Sequence, residues 1–476
     1  MKLIPINIEL IIERIKYENP WWINGLIDDL FNSMKRRLYF EQFFPLIEMS
    51  EIRRAVVLMG PRRIGKTVML FHSIQKLLDN GINKQKIFFI SIDNPIYMNR
   101  GLEELFLLTL KSSGSNSAKD CYVFFDEIQY LKDWEIHLKI LVDSYPNTKF
   151  VVSGSAAAAL KLKSAESGTG RFTEFMLPSL TFNEYINLMN LDHLIIPSKS
   201  DWKGNVEKFI STININELNK HFVNYINFGG YPEVIFSERI QKNPGRYIKS
   251  DIIDKVLLRD LPSLYGIQDV QELNSFFSTL AYYSGNEVSL ESLSKSSGVE
   301  KKLLKKYIEY LEAAFLIKVI HRIDDTAKRF QRATFYKIYL TNPSLRTALF
   351  SPIGSNDDNI GNMVETTVFS QWAHSEWFKP YYARWSNGKF QGEVDMIGLN
   401  HGNLKPKWAL EIKWSNRYFE RPTELKSLIQ FCEKNNLSQA LVTTIDKEGI
   451  KKVGNLEIFF VPVSIYSYII GLNTLL

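Results

Sequence analysis

Gly60-Pro61-Arg62-Arg63-Ile64-Gly65-Lys66-Thr67 decides the fold of this 476-residue chain. The octapeptide fills every fixed position of G-x-x-x-x-G-K-[ST], the pattern of a phosphate-binding loop. Apolar Ala55-Val56-Val57-Leu58-Met59 precedes it and reads as a buried strand, and Val68-Met69-Leu70-Phe71-His72-Ser73-Ile74 follows as the start of a helix. Glycines let the backbone curl until successive N–H groups face phosphate oxygens, and the helix N-terminus adds partial positive charge. The nucleotide, ATP, is expected against Gly60, Pro61, Arg62, Arg63, Ile64, Gly65, Lys66, Thr67 and Val68. Lys66 would reach the β- and γ-phosphates and Thr67 would hold Mg²⁺. Arg62 and Arg63 are unusual inside such a loop; they suit contact with phosphate, a neighbouring domain or a neighbouring subunit.

From residue 51 to about 190, strand and helix patterns alternate, as in an α/β domain with a parallel sheet. Ile87–Asp93, Tyr122–Glu127 and Lys149–Ser155 read as further buried strands. Three of the four strands end in residues suited to ligand chemistry, where open parallel sheets bind ligands. Asp126-Glu127 supplies the acidic pair that hydrolysis needs: Asp126 to hold Mg²⁺ through water, Glu127 to polarise the attacking water. Ser153 reads equally as a sensor of the γ-phosphate or as a turn serine. Arg171 reads as an arginine finger, in its own or a neighbouring subunit, or as one half of a surface salt bridge.

The rest of the chain bounds the problem. Its length exceeds one core, and about three domains is the expectation. With 45% hydrophobic and 23% charged residues it has the composition of a globular protein. A net charge of +6 does not by itself establish nucleic-acid binding. Cys121 and Cys432 lie far apart with no CxxC, which argues against a disulfide framework or zinc site and fits a reducing, cytoplasmic setting. Glu9 and Glu13 follow the N-terminus too closely for a secretory signal. Ile458–Leu476 is uncharged and long enough to span a bilayer. Pro462, Gly471 and Asn473 interrupt it, so it reads as a buried strand, a break and a packed terminal helix, and a membrane partner is not expected.

Residues 1–50 read as a helical segment whose Trp21-Trp22 pair and basic run near Arg36-Arg37 pack against the next domain. Residues 51–190 form the ATPase domain and 191–265 a mostly helical connector or lid, punctuated by Gly229-Gly230-Tyr231-Pro232. Residues 266–340 read as a winged helix-turn-helix: a short helix at Leu290–Val299, a longer one at Glu300–Ala314, then strands Leu316–Ile320 and Phe335–Leu340. Residues 341–476 are again α/β. Lys302, Lys305 and Lys306 share a helix face near Lys301, and Lys328, Arg329 and Arg332 lie in the wing loop. They suit DNA phosphates or simply solvent.

Several blocks occur in a telling order: the phosphate loop, Phe125-Asp126-Glu127-Ile128-Gln129, Ser153-Gly154-Ser155, Gly170-Arg171, Pro178 to Tyr185, and Gly229-Gly230-Tyr231-Pro232. Together they resemble the AAA+-related ATPases of bacteria and archaea that carry a C-terminal domain long labelled as of unknown function. The resemblance covers nearly the whole chain after residue 35. It implies an ATPase core, a winged helix and a restriction-endonuclease-like C-terminal α/β domain. A PD-(D/E)xK nuclease needs a metal-binding Asp on one strand and Glu-x-Lys on the next. Asp395, Glu411 and Lys413 supply these, with Glu365 on the preceding helix. Alternation puts Glu411 and Lys413 on one strand face, where the carboxylates would bind Mg²⁺ and Lys413 would orient water; exposed strand faces often carry Glu and Lys as well. The expectation is therefore a multidomain α/β protein, a cytoplasmic Mg²⁺-dependent ATPase acting on DNA. The alternative is an ATP-driven switch with a protein or a second copy as partner and the C-terminal domain as scaffold.

Overall fold

Short apolar runs bounded by polar turns fold here as two compact units, Met1–Pro178 and Ser179–Leu476. The computed structural model describes residues 7–475 except 50, 99, 116, 156–169, 201, 203–207, 327–334, 373–377, 389 and 401.

In the first unit, β1 (Ala55–Met59), β2 (Ile87–Ser91), β3 (Tyr122–Asp126), β4 (Lys149–Gly154) and β5 (Phe172–Met176) form one sheet in the order β2-β3-β4-β1-β5. Every pairing is parallel. Val56, Val57, Phe88, Val123, Phe124, Val151 and Val152 are fully buried or nearly so, as strands covered on both faces require. Helix α1 (Ile8–Glu18) precedes the sheet, α2 (Phe40–Glu48) leads into β1, and α3 (Lys66–Asp79), α4 (Leu102–Ser112) and α5 (Trp134–Ser144) connect the strands. The order sets β4 between the loop-bearing β1 and the acidic β3, so all three strand ends open on one edge.

The N-terminal segment closes the free edge of β2. Asn19 exchanges two hydrogen bonds with the Phe89 backbone, 2.9 and 2.7 Å long. The Trp21 and Trp22 indoles each donate to the Ile87 carbonyl at 3.0 Å. An edge strand is a liability until its backbone groups are paired.

The second unit centres on a nine-stranded sheet. Its strands are β8 (Glu287–Ser289), β9 (Ile317–Ile323), β10 (Phe335–Leu340), β11 (Tyr381–Asn387), β12 (Phe390–Leu399), β13 (Pro406–Glu411), β14 (Gln439–Thr444), β15 (Gly449–Val453) and β16 (Leu456–Pro462). They lie in the order β15-β16-β14-β13-β12-β11-β9-β10-β8. A separate hairpin joins β6 (Ile195–Ser198) and β7 (Phe209–Thr212). Helices are α6 (Phe182–Leu188), α7 (Ile215–Phe228), α8 (Val270–Tyr282), α9 (Leu290–Ser297), α10 (Lys301–Ala313), α11 (Ile360–Trp372), α12 (Lys426–Lys434) and α13 (Val463–Asn473). One core gathers Tyr382, Met396 and Phe459 with α11 and α13; a second gathers Val394, Ile397, Val442 and Phe460 with α12. The apolar terminal stretch is thus a strand, a break at Pro462 and a buried helix. Among the described residues no helix is long and apolar enough to cross a membrane.

Three boundaries differ from the sequence reading. Residues 179–190 fall in the second unit, not with the ATPase sheet, because Phe182, Tyr185 and Ile186 bury in the same core as Phe222, Tyr225 and Ile469. Residues 191–265 contain the β6–β7 hairpin, and α7 shares that core, so the stretch is built into the body of the unit. There is no break at 340, because β9 pairs in parallel with β11, His321 opposite Tyr381. At the Gly229-Gly230 turn, a Cβ on Gly230 would lie 1.8 Å from the Asn342 amide, so only glycine fits.

Candidate functional site

The phosphate loop emerges from the C-terminal end of β1. Gly60 takes φ +156° and Gly65 φ +92°, and Arg63 sits in the left-handed region at φ +63°. A Cβ on Gly60 would stand 2.2 Å from the Leu177 carbonyl, so this turn has no room for a side chain. Gly65 brings no side chain to cap α3, and the N–H groups of its first turn suit an anion. Pro61 and Ile64 are buried, Arg62 and Val68 half-buried, and Arg63 exposed. Lys66 is buried and curls over the loop, its ammonium donating to the carbonyls of Gly60 at 3.1 Å and Pro61 at 2.8 Å.

The acidic pair meets this loop through a hydroxyl relay. Thr67 Oγ1 donates to Asp126 Oδ2 at 2.7 Å, and Ser153 Oγ donates to Asp126 Oδ1. Ser153 Oγ in turn accepts the Glu127 N–H at 3.2 Å. Ser153 reaches both because β4 lies between β1 and β3. Burial, and then the charge of Glu127, push the Asp126 carboxyl up to about 6; the Ser153 and Thr67 hydrogen bonds and the Lys66 charge oppose them. A hydroxyl and a carboxylate oxygen at one point form a hard donor set that fits Mg²⁺. Glu127 takes φ +55°, and the Gln129 side-chain amide donates to its carboxylate. The Gln129 side-chain oxygen Oε1 accepts the Ser155 N–H at 3.1 Å.

Two further residues bear on the loop. Arg37, buried, donates to the Ile64 carbonyl at 2.8 Å and to the Pro178 carbonyl at 3.0 Å. It braces the loop from behind, a role no local pattern revealed. Arg171 lies at the opposite end of the sheet. Its carbonyl accepts the N–H of Ala55, the first residue of β1, and its guanidinium pairs with Asp143 at 2.9 Å. A strand of five residues spans roughly 16 Å, which excludes Arg171 as a finger for its own loop. The salt bridge of the two sequence readings is the contact observed within the chain.

In the second unit the structure brings Glu365, Asp395, Glu411 and Lys413 together. Met396 pairs with Leu410 across β12 and β13, which sets Asp395 beside Glu411. The register of β11 against β12 shifts between Tyr381 and Ala383, and the extra residue on β12 falls at Asp395-Met396. Such a bulge re-aims a side chain. Lys413 lies just past the end of β13, not on it, anchored by a 2.7 Å bond from its N–H to Thr443. Its ammonium bridges Asp395 at 2.9 Å and Glu411 at 2.8 Å. The Ile412 N–H also donates to Asp395, at 2.8 Å.

Lys337 of β10, unforeseen in the sequence, joins this centre at 2.9 Å from Glu365 and 2.7 Å from Glu393. The Tyr339 hydroxyl donates to Glu365 at 2.5 Å. Burial works to raise Asp395, but Lys413 and Lys337 outweigh it and hold its carboxyl below the usual range. Burial and the Asp395 charge push Glu411 up to about 7. Glu411 Oε2 is buried with no hydrogen-bond partner, an opening that suits a cation. Among the described residues, however, no group of three or more His, Cys, Asp or Glu side chains is arranged to hold a metal ion.

Residues 266–340 hold the expected pair of helices, α9 and α10, and the strands β9 and β10, together with α8 and β8, which were not expected; β10 is antiparallel to both β8 and β9, and β9 pairs on its other side with β11, so these strands belong to the large sheet and are not a separate two-stranded wing. Lys301, Lys302, Lys305 and Lys306 are exposed on α10. Lys328, Arg329 and Arg332 lie outside the described residues.

Residues 52–186 match the family model of an AAA domain, and residues 219–357 match that of a domain of unknown function. An uncharacterized protein of Methanocaldococcus jannaschii is 25% identical over 407 residues, 83% of each chain. An uncharacterized protein of Haemophilus influenzae is 26% identical over 341 residues, 71% of this chain and 78% of its own. A solved structure of the Aeropyrum pernix ORC1 protein in complex with DNA covers 69% of this chain and 95% of that one, at a TM-score of 0.32 and 11% identity. That likeness is too slight to carry weight. The loop, the acidic pair and the family match converge on one statement: the first unit carries a P-loop ATPase core similar to the AAA domain.

Proposed function

We propose that the chain is a Mg²⁺-dependent ATPase whose nucleotide cycle drives a winged-helix and nuclease-like unit on DNA. The hydroxyl relay from Thr67 through Asp126 and Ser153 to Glu127 carries the reading. In it, the loop N–H groups and Lys66 bind the phosphates, and Thr67 and Asp126 would hold Mg²⁺, which would neutralise charge on the transferred phosphoryl group. Ser153 fixes the Asp126 carboxylate and the Glu127 backbone together, and Glu127 takes a proton from the attacking water. What supports DNA as partner is the exposed lysine face of α10. What supports a nuclease-like second unit is the order α11-β11-β12-β13-α12-β14 with the four predicted side chains gathered on it.

Glu127→Gln should retain ATP and stop turnover, read by nucleotide binding beside phosphate release; undiminished hydrolysis would remove Glu127 from its role. ATPase rate with and without duplex DNA, over a salt series, tests the partner. DNA should bind with steep salt dependence and change the rate. Salt-insensitive or absent binding with an unchanged rate would favour the switch-and-scaffold reading. That no group of three or more His, Cys, Asp or Glu side chains among the described residues is arranged to hold a metal ion is the observation on that side.

A further inference from the structure

We propose that Gln129 is the positioning residue of the hydrolytic carboxylate: its side-chain amide fixes the Glu127 carboxylate against the end of β4, as Ser153 fixes the Glu127 backbone. The inference rests on the ATPase reading of the first unit and deepens it.

The Glu127 backbone lies at φ +55°, a conformation that residues with a side chain keep only where the surroundings enforce it. The Ser153 hydroxyl accepts the Glu127 N–H at 3.2 Å, which holds the backbone but leaves the side chain its own torsions. Among the described residues the Gln129 amide is the only donor to the Glu127 carboxylate, which it meets at Oε2. The short turn Ile128–Tyr130 delivers that amide. Buried Ile128 anchors the turn, and the Tyr130 N–H donates back to the Glu127 carbonyl at 3.2 Å.

The far end of Gln129 is tied as well. Its Oε1 accepts the N–H of Ser155, the residue that follows the last one of β4. These two partners decide which way round the amide stands. A flipped amide would set oxygen against carboxylate and NH₂ against N–H, two repulsions in place of two hydrogen bonds. Glu127 therefore meets the end of β4 twice, by its backbone at Ser153 and by its carboxylate, through Gln129, at Ser155. A neutral amide suits the task because it orients a carboxylate without neutralising it. A lysine or arginine in its place would form an ion pair that competes with the proton of the attacking water.

The test is ATP binding and phosphate release by the full-length protein in wild type, Gln129→Glu, Gln129→Met, Glu127→Gln and the Glu127→Gln/Gln129→Met double variant. Gln129→Glu is isosteric and keeps an oxygen for the Ser155 N–H but has no donor for Glu127, whereas Gln129→Met loses both bonds. Each should lower kcat roughly 10- to 100-fold and leave the KM and Kd for ATP within about threefold. The double variant should turn over within about twofold of Glu127→Gln, because no carboxylate is left to position. Three results each overturn the proposal while wild-type hydrolysis keeps the ATPase reading standing: a kcat within about threefold of wild type in Gln129→Glu, a loss carried by ATP binding, or losses that multiply in the double variant. A wild type that hydrolyses no ATP overturns that reading and the inference with it. Should Gln129→Met fail to fold, the isosteric Gln129→Glu still decides the outcome.

Discussion

Ser153 joins the two halves of the ATPase site, because one hydroxyl both donates to Asp126 and accepts from the Glu127 backbone. Ser153→Ala leaves the phosphate loop untouched but frees both acidic residues. The expected result is a fall in kcat of roughly 10- to 100-fold with the KM for ATP nearly unchanged, measured by steady-state phosphate release. Arg171→Ala should leave kcat within about twofold in dilute protein, since Arg171 lies a strand length from its own loop. A loss that appears only as the protein concentration rises would point to service in a neighbouring copy. Lys149 gives a pH signature. Burial lowers its ammonium to about 8 from an ordinary 10.5. Between these values the unfolded chain holds a proton that the folded chain has released, so this lysine makes stability rise with pH across that window. The difference in unfolding midpoint between wild type and Lys149→Met should shift in favour of wild type from pH 8 to 10.5, and a flat difference would contradict it. At this scale the sequence was legible where chemistry is local. The phosphate loop and Asp126-Glu127 stand at strand ends that announce themselves, whereas Arg37 and Lys337 act on residues distant in the chain and follow no spacing rule.

The closing of β2 by Asn19, Trp21 and Trp22 shows how an element is finished by residues outside it. Asn19→Ala removes three buried hydrogen bonds, one to the Ile15 carbonyl and the two that would leave the Phe89 N–H and carbonyl stranded. The expected cost is about 2–4 kcal/mol in the first unit. Hydrogen exchange should quicken at the β2 amides first, and unchanged protection there would refute the role. In the first sheet β1 to β4 were readable as apolar runs, and so was the terminal helix α13, because Pro462 marks its start; β5, whose Thr173 and Glu174 break its apolar pattern, was not. The bulge at Asp395-Met396 was not: a period-two pattern assumes an unbroken ladder, and only the pairing with β11 reveals the extra residue. Lys413 was assigned to a strand face by that same assumption and in fact lies past the strand end.

At the scale of the whole molecule, units follow cores and not motifs. The motif boundaries at 190 and 340 were drawn where patterns change, yet burial ties 179–190 and 266–340 into the second unit. Residues 179–476 expressed alone should unfold in one cooperative transition, whereas 341–476 alone should be insoluble for want of the β9 partner of β11. A soluble, cooperative 341–476 fragment would argue that the shared sheet is incidental. The parallel β9–β11 pairing also has a consequence in time. Tyr381 follows His321 by about sixty residues, so on a ribosome adding 5–20 residues per second the β9 edge waits roughly 3–12 seconds for its neighbour. During that interval the nascent chain presents a bare strand to every other chain in the cell, and slowing translation beyond residue 323 should cost yield in proportion to the delay.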